Sequence, residues 1–130
     1  MDNQEAFSRI VQYLRWQGGR SMNAEGKCRY RDPITRRRCA VGVLLTDEFY
    51  SEDIEGSLAT DLKDLLTRAL PGVSSDLLTS CQYVHDIGPF MLWEKMWEEV
   101  ARRFGLVVPK IEGGIESCVT PVTVEAVCAL

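Results

Sequence analysis

Four stretches of this chain repeat apolar residues at the spacing of an α-helix, and each is closed by glycine or proline. They lie at residues 3–17, 58–69, about 75–87 and 90–104. The residues that end them are Gly18, Pro71, Gly88 and Gly105. Apolar side chains at i, i+3, i+4 and i+7 share one face of a helix, which has to be buried against a neighbour. The pattern therefore predicts a core built from packed amphipathic helices.

A fifth, shorter helix is expected between the first two. Asp32-Pro33 is a turn signal, because proline disfavours the helical conformation in the residue before it. Thr35 is predicted to cap a helix that continues to Leu45. Gly42 lies inside this helix and costs it about 1 kcal/mol relative to alanine. We expect a close backbone contact at Gly42 to account for that cost.

A minor β element and a division of the chain complete the expected fold. The β-branched residues of Val119–Val127 predict a strand, which we expect to pair with a short strand at Cys28–Arg31. The chain has 130 residues, the size of one domain. The predicted fold class is thus mainly α, with about five helices in a single compact domain. Glycine and proline become frequent after the last helix, so we divide the chain into a helical domain, 1–106, and an irregular or β extension, 107–130, packed on the same domain.

Composition narrows the class of protein. The chain carries 15 Lys+Arg and 19 Asp+Glu, a net charge of −4, which argues against a general nucleic-acid binder. It has no run of about 18 apolar residues, so no membrane span is expected. The polar, acidic N-terminus is unlike a secretory signal. Five cysteines, an odd number, are therefore expected as reduced thiols in a cytoplasm.

Basic residues are concentrated between Lys27 and Arg38, where Asp32 is the only acid. One interpretation is an anion-binding surface for an acidic protein or a phosphate. Its predicted residues are Arg29, Arg36, Arg37 and Arg38. Nucleic acid is expected as a partner only through this loop. The alternative is that the loop pairs with the acidic residues of segment 47–55, since charge runs are usually solvated surface.

Cys39 and His85 suggest thiol chemistry. Cys39 follows three arginines near a predicted helix start, two features that favour a thiolate. His85 is the only histidine and is the candidate base for a Cys39 nucleophile. Asp86 is next in the chain, but successive helical residues point about 100° apart. Gln82, three residues before His85, is therefore the expected orienting or oxyanion group.

Zinc is the alternative chemistry for the same residues. Cys81 and His85 are four residues apart on one helical face, and two further cysteines complete a tetrahedral set. The predicted ligands are Cys28, Cys39, Cys81 and His85. The tight Cys-x2-Cys spacing of common zinc sites is missing, so no cofactor is the favoured expectation. A Cys28–Cys39 disulfide fits the turn but not a reducing compartment.

Several short motifs, taken in order, resemble a group of small uncharacterised proteins of phages and prophages. The matching motifs are Cys28-Arg-Tyr30-Arg31, Cys39-Ala-Val-Gly42, Gln82-Tyr-Val-His85-Asp86, Trp93 and Phe104-Gly105-Leu106. The resemblance covers about residues 7–106. It implies an accessory protein of a mobile element that acts in a bacterial cytoplasm. The position of Cys81 is more often aliphatic in that group, which counts against a four-ligand zinc site.

The motif residues also suggest a structural interpretation. Buried histidine and arginine need polar partners, so a hydrogen-bonded network that locks the loop onto the helices is expected. Its predicted members are Tyr30, Arg31, Cys39, Gln82, His85 and Asp86.

Three functions stay open at this point. The leading one is a non-enzymatic protein that binds and modulates a host protein, such as a defence component, because no strong catalytic signature is present. A small thiol-dependent enzyme and a zinc-stabilised interaction module are the alternatives. The sequence leaves the oligomeric state undetermined.

Overall fold

A computed structural model describes residues 1–111 and confirms the mainly helical fold. Five α-helices follow one another along the chain: α1 (Asn3–Gln17), α2 (Ala40–Leu44), α3 (Lys63–Ala69), α4 (Ser75–Ile87) and α5 (Trp93–Phe104). Short 3₁₀ turns lie at Glu52–Ile54, Ala59–Leu62 and Phe90–Leu92. The second and fourth apolar stretches therefore begin as 3₁₀ turns and continue as α3 and α5. Among the described residues no helix has the length and apolar character needed to cross a membrane.

The β content is smaller than expected. Two isolated antiparallel bridges, Met22–Cys28 and Arg31–Arg38, replace the strand predicted at Cys28–Arg31. The other predicted strand, Val119–Val127, lies outside the described residues, as does most of the 107–130 extension. Residues 31–38 thus form a tight hairpin turn rather than part of a sheet.

Helix α1 contributes a fully buried face to the core, and its ends are where the sequence placed them. Asp2 caps the first turn, with its carboxylate accepting the Glu5 N–H at 2.8 Å. Gly18 ends the helix in the left-handed conformation, at φ 76°. Phe7 packs edge-on against Trp97 of α5, with the ring centroids 6.1 Å apart. The apolar face of α1 packs mainly on α2 and α4, and Phe7 adds a contact with α5.

Helix α2 begins later than the sequence predicts. Thr35 does not cap it, because the Thr35 amide and hydroxyl both donate to the carboxylate of Asp32. The Asp32 N–H in turn donates to the Arg37 carbonyl at 2.9 Å and closes the turn. Cys39 takes the N-cap position, without a side-chain cap, and the helix starts at Ala40.

The close contact expected at Gly42 is present. A Cβ atom built on Gly42 would lie 1.9 Å from the Tyr30 carbonyl oxygen. Only glycine allows α2 to approach the hairpin backbone this closely. This contact fixes the position of the hairpin against the helical core.

Candidate functional site

His85 lies on α4 and is completely buried. Its Nε2 accepts the backbone N–H of Ser21 at 2.9 Å, so the proton of the neutral ring is on Nδ1. Nδ1 faces the Asp86 carboxylate, 2.8 Å away, and donates to it. Burial lowers the pKa of His85, but the hydrogen bonds with Asp86 and Cys28 outweigh it and raise that pKa. The Ser21 amide opposes this rise, because an imidazolium has no lone pair left to accept its N–H.

Asp86 orients His85, which the sequence argument had judged unfavourable. The 100° between successive helical residues separates the two Cα–Cβ directions, but the short Asp86 side chain still reaches back to Nδ1. Gln82 Nε2 donates to the same carboxylate oxygen at 2.8 Å. Burial raises the pKa of Asp86, but hydrogen bonds from His85, Cys28 and Gln82 hold it below its ordinary value. The carboxylate is therefore charged at neutral pH.

Gln82 connects α4 to two other parts of the molecule. Its Oε1 accepts the N–H of Val41, in the first turn of α2, at 3.1 Å. Its Nε2 donates to the Cys28 sulfur at 3.4 Å as well as to Asp86. One buried amide thus connects α2, the loop before the hairpin and α4.

The thiol beside His85 belongs to Cys28, not to Cys39 as predicted. The Cys28 Sγ lies 3.9 Å from His85 Nδ1, whereas Cys39 is fully buried at the N-cap of α2, next to Cys28. Contact with the Cys39 thiol and burial both raise the pKa of Cys28. Cys28 is therefore a neutral thiol at neutral pH.

This geometry does not favour the predicted thiol nucleophile. A base that takes the Cys28 proton needs a free lone pair near the sulfur. His85 Nδ1, the nearer nitrogen, already carries a proton, and the lone pair on Nε2 is occupied by the Ser21 amide. Nucleophilic chemistry at Cys28 would require the opposite tautomer of His85 and the loss of the Ser21 hydrogen bond.

A metal site has suitable ligand types but the wrong hydrogen bonding. Cys28, His85 and Asp86 offer ligand atoms that all lie within 4.8 Å of one another. Of the predicted zinc ligands, Cys39 and Cys81 are absent from this group, and burial raises the pKa of Cys81. A metal on Nδ1 would place the ring proton on Nε2, where it would face the Ser21 N–H. Metal binding would therefore require Ser21 to move.

An open cleft lies over these polar groups. It has a volume of about 450 Å³, and Cys28, Gln82 and Asp86 line it beside Lys27. The segment 56–60 and the outer face of α4 form its walls. Cys28, which is partly exposed, is thus reachable from this cleft.

Acidic residues of segment 47–55 form ion pairs with two residues of the arginine-rich loop, as one of the two sequence-based interpretations expected. Arg29 pairs with Glu52 at 2.8 Å and lies 3.9 Å from Glu55. Arg31 pairs with Asp47 at 2.7 Å and donates to the Leu45 carbonyl. Arg29, one of the predicted binding residues, is therefore engaged within the molecule.

Tyr30 and Arg31 contribute to this second cluster rather than to the one around His85. The backbone amides of both residues donate to the Glu55 carboxylate, at 2.9 and 3.1 Å. The Tyr30 hydroxyl donates to the Ser57 carbonyl at 2.5 Å. The predicted network is thus divided in two, and Ser21 and Cys28 belong to the part that contains His85. The sequence indicated Cys28 only as a predicted zinc ligand and as part of one motif with Tyr30, and no signal pointed to the Ser21 backbone.

Six arginines within residues 1–111 have no acidic partner, and we name the four that lie at or beside the hairpin the arginine face. They are Arg20, Arg36, Arg37 and Arg38. Within residues 1–111, no carboxylate oxygen lies in ion-pair distance of their side chains. Arg37 Nη1 donates to the Arg20 carbonyl at 3.1 Å, and Arg20 Nη2 donates to the Gly88 carbonyl at 2.7 Å. Arg20 was missed by the sequence argument because it lies outside the arginine-rich run.

No protein-family model matches this chain, and no curated protein or solved structure is significantly similar to it. The chemistry of the two clusters therefore rests on their geometry.

Proposed function

We propose that this chain is a binding protein of a phage or another mobile element, and that it acts by occupying an acidic surface of a host protein in the bacterial cytoplasm. The expected partners are host proteins such as defence components. The observation that carries the proposal is the arginine face, whose four neighbouring arginines have no carboxylate partner among residues 1–111, on a chain with a net charge of −4. The phage-like motif pattern supports the setting.

The backbone of Arg36 adds to this argument. Arg36 has φ 63°, the only left-handed backbone outside glycine among the described residues. Glycine or asparagine would adopt this conformation at lower cost, so a turn needed only for folding would favour one of them. An exposed arginine at this position suggests that its side chain has a use outside the turn.

The polar cluster around His85 has a supporting role in this proposal. It connects α4 to the residues that precede the hairpin, through Ser21 and Cys28. The Ser21 hydroxyl donates to the Arg37 carbonyl at 3.1 Å, so the cluster also holds the backbone of the arginine face. A thiol-dependent enzyme is less well supported, since His85 has no free lone pair beside Cys28.

The test is capture of a partner from lysates of bacterial hosts, followed by direct binding to the purified partner. The variant Arg36→Glu/Arg38→Glu reverses the charge of the arginine face. The variant Arg68→Glu/Lys95→Glu is the control, because it makes the same charge change at exposed positions elsewhere. We expect the control to bind as the native chain does, and the arginine variant to lose about 100-fold or more in affinity.

Three results would contradict this proposal. One is that no stoichiometric partner is recovered from any plausible host. Another is equal loss of affinity in both variants, which would indicate a net-charge effect rather than a defined surface. The third is loss of the captured material after nuclease treatment, which would identify nucleic acid as the ligand.

A further inference from the structure

The cleft beside α4 has the size of a binding site for a small organic molecule. Its volume of about 450 Å³ lies within the range of about 300–1,000 Å³ that ligand pockets occupy. Its described lining includes none of the four residues of the arginine face. The function proposed above therefore makes no use of the cleft, and the chemistry of its lining indicates what it can bind.

Asp86 is the only acidic residue in the described lining of the cleft. Its donors within residues 1–111 are His85 and Gln82, which share the oxygen Oδ1, and Cys28. A carboxylate offers about four acceptor positions, so these three donors leave at least one unused. Because 32% of the Asp86 side chain is exposed, a donor in the cleft can reach the carboxylate. A charged carboxylate with an open acceptor position favours a ligand with a positively charged N–H group.

The surfaces around this carboxylate are largely apolar. Leu58 and Tyr83 line the cleft and are 68% and 58% exposed, so both present apolar surface to a ligand. Tyr30 and Ala59 also line it and are almost completely buried. An apolar body that covers Leu58 and Tyr83 removes this surface from water, which favours binding. The lining thus combines one anionic group with aliphatic and aromatic walls.

Lys27 also lines the cleft, but its charge is held less firmly than that of Asp86. Its side chain is exposed, and no carboxylate oxygen of residues 1–111 lies at ion-pair distance from its ammonium. The Lys27 ammonium can therefore turn into solvent, whereas Asp86 is held by its three donors. A cationic ligand meets a preorganised negative charge, and an anionic ligand would lie against a carboxylate that cannot move away.

We propose that this cleft is a binding site for a small organic monocation, a protonated primary amine with an aromatic or aliphatic body. The ammonium donates to the Asp86 carboxylate, and the apolar body lies against Leu58 and Tyr83. Binding is reversible and changes no covalent bond. The inference does not depend on the host partner, since none of the arginine face takes part in it.

The test compares three probes of similar size on the full chain at neutral pH: phenethylamine, 2-phenylethanol and 3-phenylpropionate. All three carry the same aromatic ring, and only the amine is positively charged. Two-dimensional NMR titration gives each dissociation constant and identifies the amides that shift. We expect phenethylamine to bind saturably and to shift amides of segment 56–60 and of α4. The alcohol should bind about tenfold more weakly, since it lacks the charge-assisted hydrogen bond, and the carboxylate more weakly still.

Three variants separate the charge from the apolar wall. Asp86→Asn should weaken phenethylamine about tenfold and leave the alcohol unchanged. Tyr83→Ser is the second variant, in case Asp86→Asn impairs folding, because an exposed side chain can be changed with little effect on the fold. It should weaken the amine and the alcohol alike, by about fivefold. Met91→Ser is the matched control, since Met91 is 86% exposed and lies outside the lining of the cleft, and it should change neither dissociation constant.

Several outcomes would overturn the proposal. One is that phenethylamine does not bind saturably, or shifts only amides away from the cleft. Another is that the amine binds no more tightly than the alcohol, or that the carboxylate binds best, which would make Lys27 the group that selects the ligand. The third is an equal loss of affinity in Tyr83→Ser and Met91→Ser. Each can be read without a host partner, so the host-binding proposal and this one can fail separately.

Discussion

The residues around His85 show how a buried polar group is satisfied from several directions. Its two ring nitrogens face a backbone donor, Ser21, and a carboxylate acceptor, Asp86, so a single tautomer fits both. Gln82 meets the same carboxylate with its amide nitrogen and the Val41 N–H with its oxygen. Partners that are all matched in this way stabilise one arrangement of the chain, whereas an unmatched buried group costs about 1–3 kcal/mol.

The charge of Asp86 predicts how stability depends on pH. Its folded pKa lies below the ordinary value of 3.8, so its contribution is complete above that value and is lost as pH falls through the lower folded pKa. Asp86→Asn should lower the free energy of unfolding by about 1–2 kcal/mol at neutral pH. The difference from the native chain should shrink as the pH falls through the folded pKa of Asp86. Urea denaturation between neutral and acidic pH measures both effects.

Asp47 provides the control for this experiment. Its pKa is also held below its ordinary value, by the hydrogen bond and charge of Arg31, but its side chain is 94% exposed. Solvent screens an exposed pair, so Asp47→Asn should change stability much less than Asp86→Asn. Equal effects of the two variants at every pH would contradict the role given to the cluster.

At the scale of elements, the hairpin and α2 are positioned by a backbone contact. Tyr30 and Gly42 approach so closely that any side chain at Gly42 would collide with the Tyr30 carbonyl. The same stretch of chain places Cys28 beside α4 and Cys39 at the start of α2. The packing of one short helix therefore determines which thiol meets His85.

Gly42→Ala should lower the free energy of unfolding by about 2–3 kcal/mol, because the new methyl group has to push backbone atoms apart. Gly19→Ala is the matched control. Its Cβ would meet only the flexible end of the Arg37 side chain, at 2.8 Å, so we expect a loss of about 0.5 kcal/mol or less. Thermal and urea denaturation measure both changes. A Gly42→Ala variant as stable as the control would refute the close approach of α2 to the hairpin.

At the scale of the whole molecule, each end of α1 carries a glutamine whose side chain is hydrogen-bonded to the backbone of a residue distant in sequence. Gln4 accepts the Val107 N–H and donates to the Val107 carbonyl, both at 2.9 Å. Gln17 accepts the Arg38 N–H at 2.7 Å and donates to the Arg38 carbonyl at 2.8 Å. The two ends of α1 therefore secure the start of the C-terminal extension and the end of the arginine hairpin.

These paired contacts predict reciprocal effects on amide exchange. Gln4→Ala should speed hydrogen exchange at Val107 about fivefold, the equivalent of one lost hydrogen bond, and leave Arg38 unchanged. Gln17→Ala should speed hydrogen exchange at Arg38 and leave Val107 unchanged. Site-resolved exchange by NMR separates the two. If either variant speeds exchange at both sites, the two segments are coupled through α1 rather than held separately.

The amphipathic repeats by themselves determined the positions of the long helices of this protein. They located the long helices and the glycine end at Gly18, because such signals depend on residues within one or two turns. They also required a close contact at Gly42, although not its partner. The start of α2 was misplaced because Asp32 takes up the Thr35 hydroxyl that was expected to cap it.

Only the tertiary structure decided which groups meet. Cys28 and His85 are 57 residues apart in the chain, and the sequence pattern favoured Cys39 as the thiol beside the histidine because three arginines precede it. The Ser21 amide, which sets the tautomer of His85, is a backbone group. The type of residue at position 21 therefore does not predict this hydrogen bond. Local hydrogen bonding follows from neighbouring residues, but contacts across the fold depend on how the helices pack and on the conformation of the hairpin.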